Sequence, residues 1–343
     1  MEESSRRAIW LRHDDIFAHD VPDHPERPAR IRALEAEMSA HEWFGVSPVI
    51  APEASRSELE LVHPPSYIDS IRALSEAGGG AIDADTFAVP GTYGAALRAA
   101  GGAVALVDAL LGGEAAVGVS ALRPPGHHAE AARAMGFCFF GNVAVAARRA
   151  TSAFGLERVM IVDWDVHHGN GTNDIFHADD DVLFLSIHES PLYPGTGPET
   201  DVGSGAGEGF TVNLPVPGGS GDAVYRSLIE HVACGLIRSW EPQLVLVSAG
   251  FDAHRDDPLA TCRVSEAGFA GMTASLRHAS DGVGAPLGLV LEGGYDLGAL
   301  SRSMAALMPV LVDAVTPGAQ DVDVHPLARR AKERLAPRWA LTS

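Results

Sequence analysis

The stretch Arg158-Val-Met-Ile-Val-Asp163-Trp-Asp165-Val-His167-His168-Gly-Asn170-Gly171 decides the fold class. It opens on a short apolar, β-branched run and breaks abruptly into aspartate, histidine and glycine. That is how a buried strand of a parallel sheet reads where it hands the chain to a ligand-binding edge. The signature recurs three times. Val117 to Ser120 leads into Arg123-Pro-Pro-Gly-His127-His128, Leu244 to Ser248 into Ala249-Gly-Phe-Asp252, and Gly288 to Leu291 into Glu292-Gly-Gly-Tyr295. Val182 to Ile187 is a further apolar run. Between these runs lie Pro28 to Met38, Gly94 to Leu111, Gly141 to Phe154 and Ala223 to Trp240, with small or apolar residues at the three-and-four spacing of helices. The alternation predicts an α/β fold: a mostly parallel, multi-stranded sheet with helices on both faces.

At 343 residues and 46% apolar content the chain can bury one sizeable core. No fixed-period repeat and no long linker divides it, so we expect one domain over residues 1–343, with a loosely packed tail from about Pro317. Gly203 to Gly209, between strand-like segments, is expected to be a surface loop. A formal charge of -20 argues against a nucleic-acid partner, whose phosphates call for clustered Lys and Arg. Cys138, Cys234 and Cys262 are too few and too scattered for a disulfide framework or a cysteine metal site, which suits a reducing, cytoplasmic setting. Arg6 and Arg7 are not followed by a long apolar segment, and no uninterrupted run of about 18 apolar residues occurs, so neither secretion nor membrane insertion is expected.

Open parallel sheets bind ligands beyond the carboxyl ends of their strands, so the residues just past each apolar run carry the chemistry. Asp163, Asp165 and His167 repeat with period two; wherever the strand persists, they share one face and converge on one cation. Two carboxylates and an imidazole suit zinc, and three protein ligands leave a position open for catalysis. Asp165 and His167 supply two ligands, and Asp252 the third from a neighbouring strand end. The same set also accepts ferrous iron. His127 and His128 follow a rigid Pro-Pro-Gly sequence, with Asp163 and Asn170 available to set the tautomer and basicity of each ring. Tyr295, in a glycine-rich turn, is placed to donate a hydrogen bond to a developing oxyanion.

These motifs together resemble the zinc-dependent histone deacetylases and acetylpolyamine amidohydrolases of the arginase-deacetylase fold. The resemblance runs from His24-Pro-Glu-Arg-Pro28 to Leu291-Glu-Gly-Gly-Tyr295 and includes Gly136-Phe-Cys-Phe139. Asn170, where other branches carry Asp, is similar to the class II branch. The resemblance implies one zinc on Asp165, His167 and Asp252, with His128 as general base and then acid. It implies that His127 is an electrostatic partner held by Asp163, and that Tyr295 polarises the carbonyl. It further implies a narrow acyl-lysine channel lined by Gly136 and Phe137, with Tyr193 opposite where Phe is frequent. A structural potassium ion on Asp163, Asp165, His167, Ser186 and Ile187 is implied too, as is a second one around Phe176, Asp179 and Val182.

The expected reaction is removal of acetyl from a lysine side chain in a protein or peptide, releasing acetate. Polyamine-preferring relatives place an acidic residue near the channel; after Asp257-Pro258 this chain carries Leu259, which favours acetyl-lysine over an acetylated polyamine or other small acetylated amine. Asp83 and Asp85 are candidates to hold a peptide backbone or an ammonium at the rim. Two rival readings are a catalytically silent acetyl-lysine binder and an arginase-like binuclear manganese hydrolase. Retention of the ligands, both histidines and Tyr295 disfavours the first, and the second needs additional carboxylate ligands.

Overall fold

A computed structural model describes residues 8–341; Arg6 and Arg7 lie outside them. The strands are β1 (Ala8–Arg12), β2 (Pro48–Ile50), β3 (Gly80–Ala81), β4 (Phe87–Ala88), β5 (Val117–Ser120), β6 (Val159–Asp163), β7 (Val182–Glu189), β8 (Thr211–Val216), β9 (Leu244–Ala249) and β10 (Leu287–Leu291). Eight form one sheet in the order β2-β1-β5-β10-β9-β6-β7-β8, with every neighbouring pair parallel. The remaining pair, β3 and β4, makes a small antiparallel ribbon.

The five expected strands are β5, β6, β7, β9 and β10. Every residue in them is buried, so both faces of the sheet are covered, as unbroken apolar runs require. One helical layer pairs Thr92–Leu111 with Asn142–Phe154; another runs through Ala29–Ala40, Leu297–Val312, Glu266–Val283 and Cys234–Trp240. Thr92–Leu111 is long and apolar enough by length and composition to cross a membrane, but Arg98 and Asp108 interrupt it and it is mostly buried against the core. The expected helix from Ala223 to Trp240 holds a π-helical turn at Ile229–Ala233.

Two sheet strands, β1 and β2, lay beyond the sequence reading, and β8 was read only as an unbounded strand-like segment after Gly209. β2 and β8 are edge strands containing Pro48 and Pro215, residues tolerated there because an edge leaves N–H positions unpaired. β1 is only partly buried, and its apolar run is bounded by Arg7 and Arg12. The expectation of a loosely packed tail is corrected in part. Helix Pro326–Leu335 buries Ala328, Ala331 and Leu335, and beyond it Trp339 packs edge-on against Phe210 and Trp240 while donating to the Gly209 carbonyl (3.1 Å). The loop at Gly203–Gly209 does lie between two strands, β7 and β8.

Candidate active site

In the sheet β5, β10, β9 and β6 are consecutive, so the four suspicious strand ends open side by side along one carboxyl edge. The chain after β6 does not stay extended. The strand stops at Asp163, whose Oδ1 accepts from the Asp165 N–H (3.0 Å), and Asp165 Oδ1 in turn accepts from the His167 N–H (2.9 Å). Two successive side-chain turns therefore curl the segment. This corrects the period-two reading: Asp165 and His167 converge because the chain turns, and Asp163 leaves the group to meet His127.

Asp165, His167 and Asp252 each present one ligand atom, all within 4.8 Å of one another, and they are the one such group of His, Cys, Asp or Glu among the described residues. His167 Nδ1 lies 3.1 Å from both Asp165 Oδ1 and Asp252 Oδ2. Backbone donors aim the carboxylates: Gly293 N–H reaches Asp165 Oδ2 (2.9 Å) and Val166 N–H reaches Asp252 Oδ1 (2.9 Å). Gly293 is required, because a Cβ there would lie 2.1 Å from Asp252 Oδ2. The donor set fits a divalent ion. Ligands about 2.0–2.1 Å from a tetrahedral zinc lie about 3.3 Å apart, close to the spacing here. The buried carboxylates also call for positive charge: although burial opposes protonation of His167, hydrogen bonds to Asp165 and Asp252 push its pKa up to about 10. A bound cation takes the place of that proton.

Beside this group, His127 Nδ1 is 3.0 Å from Asp163 Oδ2 and His128 Nδ1 is 2.8 Å from Asn170 Oδ1. The rings differ in charge. Burial disfavours protonation of His127, yet Asp165 and Asp163 outweigh it and raise its pKa well above the ordinary value. For His128, burial and then the neighbouring His127 and His167 lower it well below. Burial pushes the Asp163 carboxyl up, to about 7, against the pull of His127, so that pair holds a proton between them. Tyr295 stays a neutral phenol, raised well above its ordinary value chiefly by burial.

A pocket of about 210 Å³ opens onto the group, lined by Asp85, His128, Gly136, Phe137, His167, Leu192, Tyr193, Leu259 and Tyr295. The five expected channel residues thus share one pocket; Leu192 was not anticipated. Gly136, at φ 56°, has the His128 ring where a Cβ would be, 2.4 Å from Cδ2, so only glycine lets the wall come this close. Tyr193 meets the edges of His128 (5.2 Å) and His167 (6.3 Å). Asp83 Oδ1 accepts from the N–H groups of Asp85 and Thr86 and shapes the rim loop, leaving Asp85 to face the pocket. Of the residues implied for potassium, Asp163 and Ser186 are register partners on β6 and β7. At the second set, the Asp179 carboxylate is engaged by Arg148.

Several supporting groups carried no role in the sequence reading. Glu292 accepts from the N–H groups of Gly126 (2.7 Å) and His127 (3.1 Å), fixing the histidine loop. Glu26 binds both Arg123 and Arg30 in a fully buried triad, and Arg30 donates to the carbonyls of Gly294 (2.6 Å) and Glu292 (2.5 Å) beneath the Tyr295 ring. Asp257 accepts from the N–H groups of Tyr295 (2.7 Å) and Leu259 (3.0 Å). Glu292 and Arg123 follow apolar strands, and that position was the available signal; Glu26 gave none beyond its place in His24-Pro-Glu-Arg-Pro28, and Arg30 gave none.

A parallel sheet with a carboxylate–imidazole cluster, a histidine pair and a phenol at its carboxyl edge defines an amide hydrolase site of the metal-dependent kind. Comparison with known proteins gives the family: the histone deacetylase domain model matches residues 24–311. Histone deacetylase 14, chloroplastic, of Arabidopsis thaliana is 39% identical over 308 residues, covering 84% of this chain and 73% of that protein. A histone deacetylase-like amidohydrolase of Pseudomonas aeruginosa is 44% identical over 247 residues, 71% of this chain and 65% of its own length. Histone deacetylase 15 of Arabidopsis thaliana is matched over only 55% of its length, so some relatives extend well beyond the shared region. The solved HDA15 HD domain superposes with a TM-score of 0.90 at 37% identity, covering 98% of this chain and 96% of that one. The chain belongs to the histone deacetylase family.

Proposed function

We propose that this chain is a zinc-dependent amidohydrolase that removes acetyl groups from N-acetylated lysine side chains. The observation that carries the reading is the convergence of Asp165, His167 and Asp252 within 4.8 Å, with His167 reaching a pocket that His128 and Tyr295 also line. Zinc held by this set supplies Lewis acidity to an amide carbonyl and to a water. His128, with Nδ1 turned to Asn170, offers Nε2 to take the water's proton. The adjacent His127, charged against Asp163, keeps His128 unprotonated at neutral pH. The Tyr295 phenol donates to the carbonyl oxygen as its carbon becomes tetrahedral. His128 then returns the proton to the departing nitrogen, releasing amine and acetate.

Phe137, Tyr193 and Leu259 suit the methylene chain of a lysine, and Leu259 offers no charge to a second ammonium. A specific observation keeps an acetylated polyamine as the second reading: Asp85 brings a carboxylate to the pocket. Potassium on Asp163 and Ser186, with the main chains of Asp165, His167 and Ile187, belongs to this proposal. So does a reducing, cytoplasmic setting, with which three buried free cysteines agree.

The test is a panel of acetyl-lysine peptides, acetylpolyamines and small acetamides, compared by kcat/KM with and without a chelator, alongside metal content. We expect acetate release from the peptides, loss on chelation and one zinc per chain. Binding without acetate release would favour the silent binder, two manganese ions the arginase-like reading, and preference for polyamines the second substrate class.

A further inference from the structure

The Asn170 amide stands between two kinds of neighbour. One end lies 2.8 Å from His128 Nδ1; the other lies 3.1 Å from Glu130 Oε1, 3.4 Å from Met135 Sδ and 3.5 Å from the His128 carbonyl oxygen. All three neighbours of the second end are acceptors, so that end is the NH2 group and the first is the amide oxygen. An amide oxygen cannot donate. His128 therefore carries its proton on Nδ1 and keeps the lone pair of Nε2 for the pocket.

Turning the amide by half a revolution would undo this. The NH2 group would face Nδ1, the ring proton would move to Nε2, and the nitrogen facing the pocket would no longer be a base. Asn170 is buried and has no charge of its own to resist the turn, so its orientation depends on what surrounds its far end. A thioether is a weak acceptor, and a carbonyl at 3.5 Å is at the limit of bonding. The Glu130 carboxylate is the strong partner, and a reversed amide would set oxygen against oxygen there.

We propose that Glu130 is a positioning residue that fixes the tautomer of His128 through the amide of Asn170. The inference rests on the reading of His128 as general base. It also explains how an asparagine serves where a carboxylate would need no such help, since both oxygens of an aspartate accept. The backbone of Glu130 pairs with Arg133, a contact that does not depend on its side chain.

The experiment is a double-mutant cycle on the full chain, reading kcat/KM for an acetyl-lysine peptide at about pH 8, where an ordinary imidazole is neutral. Glu130→Ala in the native background is expected to lose about 10- to 100-fold, the range seen when a group that orients a site imidazole is removed. Glu130→Gln, whose side-chain oxygen still accepts, recovers most of it. In an Asn170→Asp background, Glu130→Ala costs less than about twofold relative to Asn170→Asp alone, because no amide remains to be oriented. Equal losses in both backgrounds, or no loss in either, would overturn the proposal. Glu130→Ser takes the place of Glu130→Ala should the latter not fold.

A second readout needs no turnover. In protein labelled with 15N-histidine, with the His128 signals assigned by their absence from His128→Ala, the native ring should show the Nδ1–H pattern and Glu130→Ala a shift towards Nε2–H. An unchanged tautomer overturns the proposal. Absence of acetate release by the native chain would instead overturn the deacetylase reading, leaving the tautomer result standing by itself.

Discussion

Tyr295 shows what a single side chain contributes when its surroundings prepare it. Its ring packs edge-on against Phe137 (5.7 Å) over the Arg30 guanidinium (4.9 Å), and burial keeps the phenol protonated. Tyr295→Phe removes only the donor. We expect zinc content to be unchanged and kcat to fall about 100-fold or more, the scale for loss of one oxyanion donor; near-normal turnover would take Tyr295 out of the mechanism. Glu26 makes a different prediction, about pH. Burial pushes its carboxyl up, but Arg123 and Arg30 outweigh that and hold it at about 2, below its ordinary 4.5. Because the folded value is depressed, the stabilisation is complete above about pH 4.5 and is lost as pH falls towards 2. It amounts to something on the order of 3 kcal/mol. Glu26→Gln should lower stability at neutral pH, where two buried arginines lose their counter-charge, and flatten its decline between about pH 4.5 and 2 in urea titrations. An unchanged acid slope would show that other carboxyls govern it.

At the level of elements, the site is made of loops that strands merely deliver. The Arg30–Glu26–Arg123 triad joins helix Ala29–Ala40 to the histidine loop after β5 and the Tyr295 loop after β10. Separate segments of chain are thus held at one spacing by charges that have no water to turn to. The segment after helix Pro326–Leu335 has another task. Trp339 closes the core against Phe210 and Trp240, far in sequence from every pocket-lining residue. Trp339→Ala should cost about 3–5 kcal/mol by thermal or denaturant unfolding and leave kcat/KM of the folded fraction within about twofold. A stability loss below about 1 kcal/mol would mean that the tail is dispensable to the core.

For the whole molecule, the balance of burial and charge puts a cost in the site that a metal removes. Two carboxylates and an imidazole are buried together, so the metal-free fold must carry a proton among them or bear their repulsion. A zinc ion bound only by the fold stabilises it by mass action, by about 4 kcal/mol at a thousandfold excess over Kd. Adding zinc to stripped protein should raise Tm by several degrees. Asp252→Asn should abolish most of that rise; an equal rise in the variant would place the ion elsewhere.

The sequence by itself determined the parallel α/β class and named the strand-end residues that the fold gathers at the candidate site. Both are local: unbroken apolar runs specify strands buried on two faces, and polar residues at their ends are candidates wherever the strands lie. It did not determine that β5, β10, β9 and β6 are neighbours, since strand order depends on long-range packing rather than on any one segment's pattern. Nor did it show that Asp163 parts from Asp165, a choice made when the chain curls through side-chain turns. Edge strand β2, the bounds of β8, and the buried roles of Glu26, Glu292, Asp257 and Glu130 likewise came only from tertiary structure. A carboxylate reads as solvent-facing until the fold supplies the N–H groups and guanidinium ions that allow it inside.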